Sequence, residues 1–358
     1  MAHELAPDDI VRTRAEAAAG ERPPLLVLEP LLAYLDTQDL GAGEPDIRPI
    51  GDGHSNATFL FDRGGARFVL RRPPRPPIPP SANDMLREAR VLRALEGRAR
   101  VPRVLAVCDD ESVIGAPFYV MEEVVGHVVT SAMPHGLDLP EQRRRAGEEL
   151  VDALVEIHGV DWRAAGLEGF GRPEGYLERQ LRRFLGLWEH NKTREIPAVE
   201  SVGAWLKANL PASPPATVVH GDYRLGNVML APEPPAQVCA VLDWEMSTIG
   251  DPLADLGYLC TLWVDRDDPS LGKFELSSVT RDEGWPARAE LVARYEERSG
   301  RPAGDLRWYQ TLALWKSIVF MEGNYRRAVE GRTDDPYLKS YGEGVLMLAE
   351  RAEAVAFG

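Results

Sequence analysis

Apolar and polar positions change rhythm once along this chain. Up to Glu122 the apolar residues fall in short runs cut by glycine, proline and charge, as strands and turns do. IRPIGDGHSNATFLFDRGGARFVLRR, from Ile47, predicts a strand, a Gly-rich turn, a second strand, a tight turn at Gly64-Gly65 and a third strand. VPRVLAVC and PFYVMEEV predict two more. Leu25 to Leu35 predicts a short helix, and Asn83 is expected to cap a longer one running to Leu95, with Leu86, Ala89, Leu92 and Leu95 on one side. Between the third strand and that helix, the prolines of RRPPRPPIPP (Arg71 to Pro80) forbid a helix or central strand and force an extended surface loop.

After Gly126 the period becomes helical. Asp138 with Glu141 three residues on predicts a capping box opening a helix through His158. Leu177, Leu181, Phe184, Leu185 and Trp188 form one apolar stripe. PASPPA (Pro211 to Ala216) ends that stretch and leads into TVVHGDYRLGNVML and VCAVLDWE, two short apolar strands with polar ends. Further helices are expected over Ala287 to Arg298, Leu306 to Val329 and Tyr337 to Val355. The expectation is an α+β chain of two lobes: a sheet-rich N-lobe over 1–122 and a larger helical C-lobe over 123–358.

Composition narrows the function classes. The 358 residues suffice for one large two-lobed unit. With 41 basic against 56 acidic residues the formal charge is −15, which argues against a nucleic-acid partner. No apolar run reaches the roughly 18 residues of a membrane span, and the N-terminal residues show no secretory pattern. Cys108, Cys239 and Cys260 are odd in number and lack CxxC spacing, so they read as buried thiols rather than a disulfide frame or zinc site. The expectation is a soluble cytoplasmic protein without a membrane partner.

HGDYRLGN (His220 to Asn227) is the most informative segment. It sets the Asp222 carboxylate five residues before the Asn227 amide, and Asp243 follows at the end of AVLD. Surface turns use the same residue types, but the paired arrangement beside apolar strands is what phosphoryl transfer needs. One carboxylate accepts the proton of the attacking hydroxyl, while a second carboxylate and an amide oxygen hold Mg²⁺ against phosphates.

HGDYRLGN, followed by LDWE and GDPLADLGY, resembles the aminoglycoside phosphotransferase branch of the protein-kinase-like fold, from about Asp46 to Arg327. FVLRRPP, IGAPFYVMEEVVG and LDWEMSTIGDPLADLGYL resemble most closely the kinase-like domain of acyl-CoA dehydrogenase family members 10 and 11. The resemblance implies ATP, Mg²⁺ and a small-molecule hydroxyl acceptor. It makes Asp222 the general base and Asn227 and Asp243 the metal ligands, with His220 supporting the loop.

The remaining candidates follow from register. In GDGHSN, Gly51 and Gly53 would let backbone N–H groups approach phosphate, Ser55 adds a hydroxyl, and Asn56 stands where the kinase pattern has a third glycine. Arg71 stands where the family has lysine, and Glu88 is its candidate partner. Main-chain groups of Glu122 and Val124 would read adenine, with Met121 behind it. Asp251 before Pro252 reads as a helix cap, and in the family acidic residues such as Asp251 and Asp255 buttress the catalytic loop. His158 reads as a packing residue. Trp308, Trp315, Lys316, Glu322 and Tyr325 read as a buried helix face with charged edges that could also line an acceptor pocket.

Two acceptor classes compete. Polycationic aminoglycosides want an acidic pocket, whereas a hydroxyacyl-CoA wants arginine and tryptophan, which QLRRFLGLW and WYQTLALWKS offer; the motif likeness favours the second. A non-catalytic, nucleotide-binding pseudokinase is the alternative from another class, supported by Arg71 and opposed by Asp222, Asn227 and Asp243 together.

Overall fold

The structure, a computed structural model, describes residues 6, 8–51, 56–76, 83–270, 272–333 and 336–358. The chain divides into two compact units. One is Met1–Val125 with the short segment Leu242–Glu245; the other is Gly126–Val241 with Met246–Gly358.

The first unit begins with β1 (Ile10–Val11), α1 (Arg14–Ala19), β2 (Leu26–Val27) and α2 (Leu28–Thr37). β3 (Asp46–Pro49), β4 (Ala57–Arg63) and β5 (Ala66–Arg72) follow, then α3 (Met85–Leu95), β6 (Val104–Cys108) and β7 (Phe118–Glu122). The five strands β3 to β7 make an antiparallel sheet in the order β3-β4-β5-β7-β6. Gly64 and Gly65, both at positive φ, make the two-residue turn between β4 and β5. Alternation along β5 sorts its side chains. Phe68 and Leu70 face an apolar core with Leu31 and Leu35 of α2, while Arg71 points to the other face, where α3 lies.

Two local expectations are corrected here. The helix expected from Leu25 starts at Leu28, because Leu26 and Val27 pair with Ile10 and Val11 as a strand. Asp84, not Asn83, caps α3: its carboxylate accepts the Arg87 N–H at 3.0 Å, whereas Asn83 takes a left-handed φ of 56° and donates to Asn56.

The second unit contains β8 (His127–Val128), α4 (Pro140–Gly159), α5 (Tyr176–Asn191), α6 (Pro197–Ala208), β9 (Thr217–Val219), β10 (Val228–Leu230), β11 (Val238–Val241) and β12 (Thr248–Gly250). Helices α7 (Leu253–Leu262), α8 (Arg288–Ser299), α9 (Arg307–Val329), α10 (Pro336–Lys339) and α11 (Tyr341–Phe357) complete it. Helix α9 packs against α5, α6, α7 and α11, and the stripe of Leu177, Leu181, Phe184 and Trp188 is buried. The capping box at Asp138 does not form. Helix α4 starts at Pro140 with no side-chain cap, and Asp138 instead pairs with Arg143 at 2.6 Å. TVVHGDYRLGNVML is two strands, β9 and β10, with the loop between them, and the helix expected over Tyr337 to Val355 is broken at Ser340.

Among the described residues no helix is long and apolar enough to cross a membrane. None of the three cysteines forms a disulfide; Cys108 and Cys260 are buried and Cys239 is half-buried.

Candidate active site

In the first unit the site is a cluster around one guanidinium. Arg71 Nε lies 3.2 Å from Glu88, and its Nη2 donates to Asp243 Oδ1 at 2.6 Å. Glu88, from α3, is 2% exposed and also takes a hydrogen bond from Tyr119, the cross-strand neighbour of Arg71. Burial pushes the Glu88 carboxyl up, and Asp243 and Glu245 add to the push against the pull of Arg71. For Arg71, burial acts downward but Glu88, Tyr119 and Asp243 outweigh it, so it is held more firmly cationic than usual.

Asp243 was expected to end a strand. β11 stops at Val241, and Asp243 sits beyond it at φ 63°, a left-handed conformation that aspartate tolerates better than most residues. Such a conformation persists only where its surroundings fix it, and the Arg71 ion pair does so here.

The nucleotide-loop candidates separate. Gly51 is exposed at φ 79°, and Gly53 and Ser55 lie outside the described residues. Asn56 is buried with both ends of its amide engaged, donating to Glu245 and accepting from Asn83, each at 2.9 Å. It therefore ties the strand end to the Asp243 segment, a role its sequence position did not reveal. Met121 and Glu122 end β7, Glu122 turns its carboxylate to the Arg103 N–H at 3.0 Å, and Val124 lies just past the strand.

In the second unit the His220–Asn227 loop leaves β9 and closes into β10. Asn227 Nδ2 donates to both the Asp222 carbonyl oxygen (2.8 Å) and Oδ2 (2.6 Å). His220 Nδ1 accepts the Asp222 N–H at 3.2 Å. Gly221, at φ 89°, passes so close to Met246 that a Cβ would sit 2.6 Å from its carbonyl oxygen.

Beneath the loop lies a chain of buried groups. Asp255 accepts the backbone N–H groups of His220 (2.7 Å) and Gly221 (2.8 Å), and its Oδ2 is 3.3 Å from His158 Nε2. His158 Nδ1 meets the Tyr295 hydroxyl at 2.8 Å. Burial raises a carboxyl, yet Asp255 is lowered, because hydrogen bonding and charge from His158, with His220 and the Gly221 N–H, more than offset desolvation. Asp251 differs: its Oδ2 accepts from Tyr309 at 2.8 Å and its Oδ1 from the Leu253 N–H at 2.9 Å, so it engages the start of α7, while Asp255 takes the backbone N–H groups of the loop. His158 is satisfied, as expected, but inside that support.

Tyr258, one turn after Asp255 on α7, was missed by sequence reasoning; the i, i+3 spacing was its only signal. Its hydroxyl hydrogen-bonds Asp222, and burial followed by the Asp222 charge keeps it a neutral donor. Lys316 of α9 lines a small recess with Tyr176, Gly221, Asp255 and Tyr258 and lies over the Phe184 ring at 5.0 Å. Burial pulls it down to about 8, with Asp255 acting the other way. Trp308 and Trp315 are buried core, donating to the Leu206 and Val199 carbonyls. Glu322 is fully buried and accepts from Thr193, and Tyr325 lies under Arg194.

The donor chemistry fits Mg²⁺. In the second unit Asn227 commits its Nδ2 to Asp222, leaving an amide oxygen, and in the first unit Asp243 carries a carboxylate; each taken by itself is a hard donor of the kind Mg²⁺ prefers. Among the described residues no cluster of three or more His, Cys, Asp or Glu able to hold a metal is present, so further ligands would come from phosphates and water.

Comparison with known proteins identifies the family. Residues 46–291 match the model of the phosphotransferase enzyme family, APH. The chain is 34% identical over 313 residues to acyl-CoA dehydrogenase family member 10 of Mus musculus, covering 87% of this chain and 29% of that protein. It is 34% identical over 320 residues to family member 11 of Gallus gallus, covering 87% and 40%. It thus spans well under half the length of these relatives. The crystal structure of a "putative aminoglycoside phosphotransferase" from Ralstonia eutropha JMP134 superposes with a TM-score of 0.79 at 33% identity, covering 92% of this chain and 97% of that one. With a protein-kinase-like fold and the HGDYRLGN loop inside the matched region, the chain belongs to the APH phosphotransferase enzyme family.

Proposed function

We propose that this protein is an ATP- and Mg²⁺-dependent kinase for a hydroxyl group on a small acyl molecule, a hydroxyacyl-CoA being the leading candidate. The observation that carries the reading is Asp222 held by Asn227 and Tyr258 on a loop whose backbone Asp255 fixes. Asp222 would accept the hydroxyl proton as the acceptor oxygen bonds to the γ-phosphorus and the bond to the β–γ bridging oxygen breaks, releasing ADP. Asn227 and Asp243 would hold Mg²⁺, which when bound neutralises charge developing on the phosphate oxygens. Arg71, oriented by Glu88, would anchor the nucleotide phosphates; it also ion-pairs with Asp243 at 2.6 Å.

The choice of acceptor class is supported by Lys316, which forms no ion pair with any described residue and lies within the field of Asp255 and, more weakly, Asp222. A half-buried cation in the same recess as the catalytic-loop Gly221 disfavours a polycationic aminoglycoside and suits an acceptor with carbonyl or anionic groups. The test is incubation with ATP and Mg²⁺ against hydroxylated acyl-CoAs and aminoglycosides, reading mass gain of one phosphoryl group. Gain on the acyl-CoAs is expected. Gain on aminoglycosides alone would overturn the acceptor class. ATP binding without transfer to any acceptor would support a pseudokinase instead.

A further inference from the structure

A cavity of about 530 Å³ opens in the first unit among α1, the start of β2, the end of β5 and the loop before β7. That volume lies in the range of small-molecule sites, and none of the residues assigned above to phosphoryl transfer lines it. Its buried floor is apolar, formed by Pro24, Val27 and Val113, with Arg72 among them.

Arg72 is unusual. It is 3% exposed yet forms no ion pair with any described residue. Its Nε and Nη1 donate to the carbonyls of Pro73, Leu25 and Ile114, stapling three segments, and its Nη2 hydrogen-bonds no described residue. Burial, then Arg75, pulls it down to about 10, so it remains charged at neutral pH. A buried cation without a counter-charge is costly unless something anionic reaches it. The other cations divide: Arg22 and Arg75 are taken by Asp8 and Asp9, while Arg14 on the rim bonds, among the described residues, only the Ser112 carbonyl. Glu21 and Glu111 also line the cavity, but on its exposed rim.

We propose that this cavity binds a small aliphatic carboxylate, its head between Arg72 and Arg14 and its chain over Pro24, Val27 and Val113. Two guanidinium groups that ion-pair with no described carboxylate, Asp110 acting on Arg14 only at longer range, match the two oxygens of one carboxylate. Arg72 also neighbours Arg71 on β5 but faces the opposite side of the sheet, so the site is separate from the phosphoryl-transfer cluster.

The test is calorimetry on the full chain with sodium hexanoate, with 1-hexanol, hexylamine and hexyl phosphate as comparison probes, each with and without saturating Mg-ATP. Saturable one-to-one binding of hexanoate is expected, within about twofold whether or not Mg-ATP is present and at least tenfold weaker with Arg14→Ala. Because Arg72 staples three segments, the second variant is Ala18→Trp on exposed α1, whose indole fills the cavity and should abolish binding. No saturable hexanoate binding, equal binding of hexanol or hexylamine, competition by Mg-ATP, or retained binding in Ala18→Trp would each overturn the site. Hexyl phosphate binding more than tenfold tighter would overturn the carboxylate assignment.

Discussion

Glu88 and Asp255 are both almost fully buried carboxylates, one in each unit, and their surroundings move them in opposite directions. Glu88 shares one guanidinium with Asp243 while Glu245 adds like charge, so its burial is only partly compensated. Asp255 receives two backbone N–H groups and an imidazole and has no carboxylate competitor in that set. The first arrangement is a set of charges that a phosphate or a metal can redistribute. The second is a fixed support, because hydrogen bonds from backbone N–H groups to a buried carboxylate define a loop's position. Binding and proton transfer thus rest on two different kinds of construction.

The largest expected effect tests what the supported loop does. Asp222→Asn should lower turnover by about 10²–10⁴, the usual worth of a general base, while ATP affinity by calorimetry stays within about twofold. Turnover near wild type would remove Asp222 from proton transfer and leave Asp255 supporting an inert loop.

Asp255→Asn comes next. It keeps the volume but replaces an acceptor-only carboxylate with an amide that must point one donor at a backbone N–H or at His158. Loss of about 1–3 kcal/mol is expected from urea unfolding, with turnover reduced roughly tenfold through the displaced Asp222 and the KM for ATP little changed. A KM effect larger than the kcat effect would show that Asp255 does more than position the loop.

The mirror experiment in the first unit is a double-mutant cycle of Arg71→Ala and Glu88→Ala. Each change alone should raise the KM for ATP, and the pair should cost less than the sum by about 0.5–3 kcal/mol, as contacting residues do. Strict additivity would mean that Glu88 does not orient Arg71. Arg71→Lys refines this result: retained activity would show that a cation suffices, and a large loss that the guanidinium is needed to reach both Glu88 and Asp243.

These residues also show where the sequence was informative. The strands around Gly64-Gly65 and the stripe on α5 were legible because period and turn chemistry are local. Asp222 and Asn227 were legible because six consecutive residues of one loop carry both. The 17-residue step from Arg71 to Glu88 was readable only with a strand and a helix already assigned. The support beneath the loop was not legible: His158, Asp255 and Tyr295 come from three helices, and nothing local in HGDYRLGN points to them. The capping errors at Asn83 and Asp138 have one cause. In each case the side chain is taken by another partner, Asn56 from a distant strand end for Asn83 and Arg143 of α4 itself for Asp138.

The smallest expected effect is on the pH dependence of stability, and it tests the opening comparison directly. Asp255 is lowered in the folded chain, so it contributes stability above the ordinary carboxylate pKa of about 3.9 and loses it as pH falls through its own lower value. Glu88 is raised, so the folded chain holds its proton more tightly than the unfolded one. Its contribution is present below about 4.3 and is lost as pH rises through the raised value. Urea unfolding of wild type, Asp255→Asn and Glu88→Gln across this range reads the two separately. The advantage of wild type over Asp255→Asn should shrink below about pH 4. Wild type should lose ground to Glu88→Gln as pH climbs from about 4 towards neutrality, by about 1.4 kcal/mol for each unit that Glu88 is raised. Slopes of the same sign would mean that Arg71 satisfies Glu88 as fully as His158 and the loop satisfy Asp255, and the contrast between a redistributable charge set and a fixed support would fail.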